Sequence, residues 1–320
     1  MLTAHFFTTI LLFIHLCPSA SKESVSTAIK RIASEQTKKA ITELTCSDKV
    51  GVDEAVHQAR RRLKKTRAVL RLVRYSLPPS IYKQNNQSFR DIGRNLSELR
   101  DSKVRIKTLD NLIAHADTVS SELFNNIRRE LCVDYRQEYQ RVLDGDVLIL
   151  VKNELKDAQE DINNWTIKSN NWSTVDQSLK RVYACGYKDL AKAVSKPTAE
   201  NFHEWRKRVK YLRYQLQVIN PIWKDLVKTW VEQTHVLSNY LGEDHDLAVL
   251  KEFVTSQPKR FDRDHELDSL ITLIDHRQKE LQSAAISLGQ KIYTEKPKKF
   301  VRRLGNYWQV WREDNQQVAS

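Results

Sequence analysis

Apolar residues recur along this chain at three- and four-residue intervals, the period of a helix with one buried face. Val25–Leu44 carries such a stripe in Val25, Ile29, Ile32, Ala33, Ala40, Ile41 and Leu44. Residues 46–53 read as a connection punctuated by Gly51, and Asp53 is placed to cap the next helix. That helix runs to about Ser76, where Pro78 and Pro79 stop it. Ile81–Leu99 follows, with Phe89, Ile92, Leu96 and Leu99 on its apolar side, and further helix continues to about Asp117. A long helix is predicted from Ser120 to Ile162, broken near Asp144 and Gly145, and polar residues 163–174 form a joint. The second half repeats the plan, with helices over 175–194, 199–219, 223–241 and 263–291. Asn220 and Pro221 end the second of these as the paired prolines end its counterpart. Runs of alternating β-branched residues are absent, and Gly and Pro number 7 each, so the chain is read as all-α.

One helix does not fit the ordinary amphipathic pattern. Between Val56 and Val73, one face carries Ala59, Leu63, Thr66, Leu70 and Val73. The other carries His57, Arg60, Arg61, Lys64, Arg67 and Arg71. Cations one turn from cations repel, and that cost is relieved only when an anion arrives. The formal net charge of +13, from 53 basic and 40 acidic residues, points the same way, toward polyanionic partners.

The ridge occurs twice. His57 and His203 are 146 positions apart, and at that offset Arg60 matches Arg206, Arg61 Lys207, Lys64 Lys210 and Arg67 Arg213. Asp101 matches Asp246 at an offset of 145. A period this long is two copies of one helical unit rather than a solenoid repeat. Two such units pack naturally about an approximate two-fold axis, which brings the ridges to one cavity.

The His-x-x-Arg-(Arg/Lys)-Arg-x-Lys-x-x-Arg ridge, its copy, and the L-x-x-x-R-D-x-x-V and L-G-x-x-x-D-x-x-V-L segments resemble the CHAD domain, named for a conserved histidine in an α-helical domain. The resemblance covers about Val25 to Lys291. It implies two tandem four-helix bundles related by pseudo-two-fold symmetry, with a basic central channel that binds inorganic polyphosphate. The bundles are expected over residues 24–162 and 175–292, and 293–320 as a basic tail with at most one short helix. Carried over by position, the phosphate contacts are His57, Arg60, Arg61, Lys64, Arg67, His203, Arg206, Lys207, Lys210 and Arg213. Arg71 on the same face and Arg94 on the following helix complete the set, and Asp101 and Asp246 are expected to orient ridge arginines by ion pairing. The second ridge is diluted: Tyr211, Tyr214 and Gln217 stand where the first has Lys65, Ala68 and Arg71, so the first half is expected to carry more of the binding. The E-x-E-x-K strand of a triphosphate-tunnel module, which accompanies many relatives, is absent, and no hydrolytic activity or cofactor is implied.

These residue types suit a phosphate chain, which offers charge but no bases to read. Arginine presents a planar fork to phosphate oxygens and lysine a point charge. Helical spacing sets such cations about 5–6 Å apart. The histidines donate one hydrogen bond when neutral and add charge when protonated, so binding is expected to tighten as pH falls through the imidazole pKa. Two rivals remain. A nucleic-acid binder also uses basic residues, but no reading helix or RNA-binding signature is present. An enzyme acting on phosphoanhydrides needs carboxylates to hold a metal beside the ridge. Asp244, His245 and Asp246 resemble such a cluster only in sequence, because consecutive helical residues face different directions.

The chain starts with an apolar run, Phe6–Leu16, too short for a stable transmembrane anchor and followed by Pro18-Ser19-Ala20-Ser21. This order reads as a signal peptide over 1–20, although Met1–His5 lacks Lys and Arg. Export is the expectation if the leader is cleaved; otherwise the protein is cytoplasmic and associated with polyphosphate granules. The four cysteines have no C-x-x-C spacing, and Cys132 and Cys185 read as buried small hydrophobes. Trp165, Trp172, Trp205, Trp223 and Trp230 are expected in the core and its seams. Sequons at Asn86, Asn95, Asn164 and Asn171 matter only in a secreted eukaryotic protein.

Overall fold

A computed structural model describes residues 23–116, 121–261 and 266–317, and the N-terminal apolar run lies outside them. Every regular element among the described residues is helical. Helix α1 spans Val25–Thr45, and Ser24 caps it by accepting from the Thr27 amide at 3.1 Å. A single turn, α2 (Ser47–Val50), ends at Gly51, whose φ of 86° is strained for any residue with a Cβ. The first ridge helix, α3, spans Val52–Leu72. Asp53 therefore sits in its first turn, favourable to the helix dipole, rather than at the cap. Its carboxylate accepts from the Tyr135 hydroxyl and pairs with Lys103 at 3.5 Å.

Helix α4 (Pro79–Asn95) opens on a proline, and α5 (Ser97–His115) follows after a break at Leu96. At that break the Ser97 hydroxyl donates to the Arg94 carbonyl at 2.6 Å, drawing it away from the helical ladder. Next come α6 (Asn125–Asp144) and α7 (Val147–Asn163), divided at Gly145 as the periodicity predicts. The second half contains α8 (Asp176–Ser195), the second ridge helix α9 (Ala199–Ile219), and α10 (Lys224–Thr255). A turn, α11 (Pro258–Phe261), then leads to α12 (Glu266–Ile292) and α13 (Pro297–Gln317). Helix α10 runs unbroken for 32 residues through Gly242, where the first half divides into α4 and α5. One interior glycine costs about 1 kcal/mol, and packing along both α9 and α12 outweighs it.

Packing does not follow the order of the chain. Helices α1, α3, α4 and α7 form one group and α8, α9, α10 and α13 another, with α3 laid directly on α9 and one continuous core beneath both. Helices α5 and α6, expected within the first bundle, instead join α12 and the later part of α10. Ile106, Leu109, Leu131, Leu250 and Leu270 build a separate core there. The C-terminal tail also departs from expectation: α13 is 21 residues long, and it buries Phe300, Val301, Leu304 and Trp308. Phe300 stacks on Tyr183 at 3.9 Å, which ties this helix to α8.

Trp165 and Trp205 are fully buried, whereas Trp223 is 49% exposed and meets Tyr307 edge-on. Trp205 anchors α9 against α12 at Gly289, where a Cβ would lie 2.4 Å from the indole. Any larger residue there would displace the second ridge. Cys132 and Cys185 are half-buried rather than enclosed. No described helix is long and apolar enough to cross a membrane.

Candidate anion-binding cavity

The contact between α3 and α9 leaves a cavity of about 460 Å³. From α3 it receives His57, Arg60, Arg61 and Lys64, and from α9 Arg206, Lys210, Arg213 and Tyr214. Helix α5 supplies a third wall with Arg100, Lys107 and Asn111, and α10 closes it with Asn239, Glu243 and Asp246. Another cavity, of about 370 Å³, lies between Tyr183, Trp230 and Phe300, but it holds only one lysine and one glutamate among mainly apolar walls. The cationic cavity is the one lined by basic residues of both ridge helices.

Ion pairs fix its floor in two matching sets. Arg60 approaches Asp101 at 3.9 Å, and Arg206 approaches Asp246 at the same distance. The Arg60 guanidinium also donates to the Gly93 carbonyl of α4. On the outer side, Arg62 pairs with Glu43 of α1 at 3.0 Å and Arg208 with Asp189 of α8 at 3.1 Å. Arg61, Lys64, Lys210 and Arg213, by contrast, form no ion pair with any described residue. The Nε–H groups of Arg60, Arg61, Arg206 and Arg213 are buried without a protein acceptor. Donors left in that state carry a desolvation cost of about 1–3 kcal/mol each, which an anion removes.

The electrostatics record the same crowding. Lys64 keeps exposed surface because the cavity admits solvent, yet protein surrounds its ammonium on most sides. Removal from bulk water, then the charges of Arg60, Arg206 and Arg100, push its pKa down to about 8. Burial, then Arg206 and Lys64, hold the Lys210 ammonium well below its ordinary value. Arg61 and Arg213 are depressed first by burial but stay charged, as guanidinium does throughout the working pH range.

The histidines behave differently from expectation. Arg100 Nε donates to His57 Nδ1 at 3.3 Å, which leaves the ring proton on Nε2. Burial and then Arg100 depress the His57 pKa. His203 lies outside the cavity lining, its Nδ1 3.1 Å from Nδ1 of His245, and burial followed by Lys207 lowers its pKa. Any tightening through imidazole protonation therefore begins below the usual pKa of 6.5.

Of the positions singled out in the sequence, His57, Arg60, Arg61, Lys64, Arg206, Lys210, Arg213 and Asp246 come together here. Asp101 is outside the lining and pairs with Arg60. Arg67 and Arg94 border a smaller cavity between α3 and α4. Arg71 turns away and stacks over the Tyr211 ring at 4.3 Å, and Lys207 is held by Glu204 of its own helix. Asp244, His245 and Asp246 do diverge: Asp244 accepts from Gln278 and Gln282, His245 faces His203, and Asp246 enters the cavity. Among the described residues no three His, Cys, Asp or Glu side chains are grouped to hold a metal. Arg100 and Lys107 were missed by sequence reasoning. Both lie on one face of α5 with Val104, Thr108 and Asn111, a pattern that helical spacing alone exposes.

The comparisons with known proteins bear on the fold. The chain aligns over 85% of its length with PptA from Streptomyces chartreusis, covering 100% of that chain at 13% identity and a TM-score of 0.60. It aligns equally far with the CHAD domain from the plant Ricinus communis, covering 92% of that chain at 15% identity and the same TM-score. Identities this low establish a shared fold. No curated relative matches. The family model described as CHAD domain matches residues 31–255, the stretch that holds both ridges and the α5 wall, and the chain belongs to the CHAD domain family.

Proposed function

We propose that the cavity binds inorganic polyphosphate without chemically altering it, and that it serves as a basic channel between two tandem four-helix bundles related by pseudo-two-fold symmetry. The observation that carries this reading is the convergence of Arg61, Lys64, Lys210 and Arg213 on one space with no carboxylate partner. Paired arginines set the floor and unpaired cations face the ligand. A polyphosphate chain presents a negative charge at every unit, so it satisfies several orphaned donors at once. The bundles would be α1, α3, α4 and α7, and α8, α9, α10 and α13, with the matched distances of Arg60 and Arg206 supporting their symmetry.

The two cavity carboxylates argue for binding rather than turnover. Asp246 is engaged by Arg206, and Glu243 pairs with Arg277 at 2.8 Å. Neither is poised as a general base. Nucleic acid fits less well, because the cations face inward and a duplex does not enter about 460 Å³. Single strands gain affinity by stacking bases on aromatic rings, and the lining holds one Tyr and no Phe or Trp.

A competition titration tests the reading. Long-chain polyphosphate, short oligophosphates and duplex DNA are titrated at physiological salt, with and without Mg²⁺, while released phosphate is assayed. Polyphosphate is expected to displace DNA with no phosphate released. DNA competing on equal terms removes the specificity, and catalytic release of phosphate makes the protein an enzyme. Arg128→Ala with Arg129→Ala, on α6 away from the cavity, provides the control for general charge.

A further inference from the structure

Across the α3 ridge from the main cavity lies a smaller one of about 170 Å³, between α3 and α4. Its ionisable lining is wholly cationic: Arg60, Lys64 and Arg67 from α3, Arg90 and Arg94 from α4. The buried ring of Phe89 forms part of its wall, and Ser97 adds a hydroxyl. Arg90 and Arg94 share one carboxylate, Asp91, at 3.0 and 3.4 Å. Arg67 has no carboxylate partner and its Nε–H is buried without an acceptor. Like charges, Arg71 and Arg90, surround it. This is the same combination of crowded cations and orphaned donors that marks the main cavity.

Arg60 and Lys64 border both spaces. Both side chains are long and rotatable, and each lines the two spaces at once. We propose that the α3–α4 cavity is a second phosphate subsite, continuous with the main cavity past Arg60 and Lys64, through which the protein discriminates polyphosphates by chain length. A short oligophosphate occupies the main cavity alone. A long chain passes over the ridge and places further phosphoryl groups against Arg67, Arg90 and Arg94. Covalent connection makes that second contact intramolecular, so modest contacts there produce a large gain in affinity. The inference rests on the polyphosphate reading above.

Two substitutions test it by different means. Arg90→Ala removes a cation of the small cavity and touches nothing in the main one. Gly93→Leu fills the small cavity without changing charge; a Cβ at Gly93 meets only Leu63 Cδ1, at 3.9 Å, so α4 accepts it. Calorimetric titration with tripolyphosphate and with a long polyphosphate chain gives the ratio of the two affinities for each protein. In both variants that ratio is expected to fall by about tenfold or more, with tripolyphosphate affinity held within about twofold. A ratio unchanged in Gly93→Leu, or equal weakening of both ligands in either variant, overturns the inference while leaving the main cavity's role intact. Wild-type protein that binds neither ligand overturns the polyphosphate reading, and the subsite with it.

Discussion

The two ridge helices carry similar patterns of basic residues, and comparing them position by position separates what holds the cavity from what faces it. Arg60 and Arg206 keep equal distances to their aspartates, and Arg62 and Arg208 each reach an acid on the preceding long helix. These pairs orient α3 and α9. Elsewhere the two helices differ. Arg61 enters the cavity unpaired, whereas its match Lys207 is neutralised by Glu204 one turn away. Arg213 lines the main cavity, while its match Arg67 faces the small one behind α3. Both acidic residues of the lining, Glu243 and Asp246, come from the second half. The first half thus supplies mostly uncompensated charge and the second a mixture of cations and anions. Matching pairs fix geometry, and the positions that differ divide the cavity's charge unequally.

The comparison breaks most readily at the unpaired cations. Arg61→Ala with Lys64→Ala removes two charges that have no carboxylate partner, at about 1.5–3 kcal/mol for each charge-assisted contact. A loss of about 3–6 kcal/mol in polyphosphate binding is expected on those terms, seen as at least a hundredfold rise in Kd by calorimetry. The matched change, Lys207→Ala with Lys210→Ala, should cost about half as much, since Lys207 is already engaged by Glu204. Equal losses mean that the halves contribute alike.

How much of this was legible depended on whether a feature lies within one helix or between several. The ridges, their duplication and the helix boundaries near Pro79 and Gly145 follow from spacing along the chain. The diversion of Lys207 was also written locally, as a Glu204–Lys207 pair three residues apart. The α5 wall was not, because a helical wheel drawn for α3 or α9 says nothing about Arg100 and Lys107. The role of α13 was hidden for a related reason. Its Lys and Arg residues dominate the composition of the tail, while four buried residues decide its packing on α8. Arg71 looks like a ridge cation from its own helix, but the Tyr211 ring that captures it comes from α9.

Titration sharpens the comparison next. With its pKa near 8, Lys64 loses its proton in the free protein as pH rises past that value, and Lys210, also depressed, follows the same direction. A bound polyanion favours the protonated form, so binding takes up protons. Affinity should therefore fall as pH rises through 8, by at most about tenfold per unit for each titrating lysine. Titrations in buffers of different ionisation enthalpy measure the uptake directly. Lys64→Arg should remove the first ridge's share and Lys210→Arg the second's. The histidines, depressed below 6.5, contribute only on the acid side of that value.

The smallest effect concerns the free protein, where the cation proposed to bind is also the cation that destabilises. Between pH 8 and 10.5 the unfolded chain holds a proton on Lys64 that the folded chain has released, so the stability of the free protein rises with pH across that window. Below pH 8 both states are protonated and the full penalty of the crowded ammonium remains. Lys64→Met removes it. The gain is about 1 kcal/mol at pH 7, after discounting the shift for solvent in the cavity, or about 2–4 °C in Tm. That advantage should shrink toward pH 10.5 as wild-type Lys64 discharges. Lys207→Met, at a position already paired with Glu204, should change stability by less than about 0.5 kcal/mol at any of these pH values. Thermal melts of both variants at pH 7 and pH 10 read the difference. A gain at Lys207 matching that at Lys64 would mean that charge density on the helices, rather than the lack of a partner inside the cavity, sets the cost of the ridge.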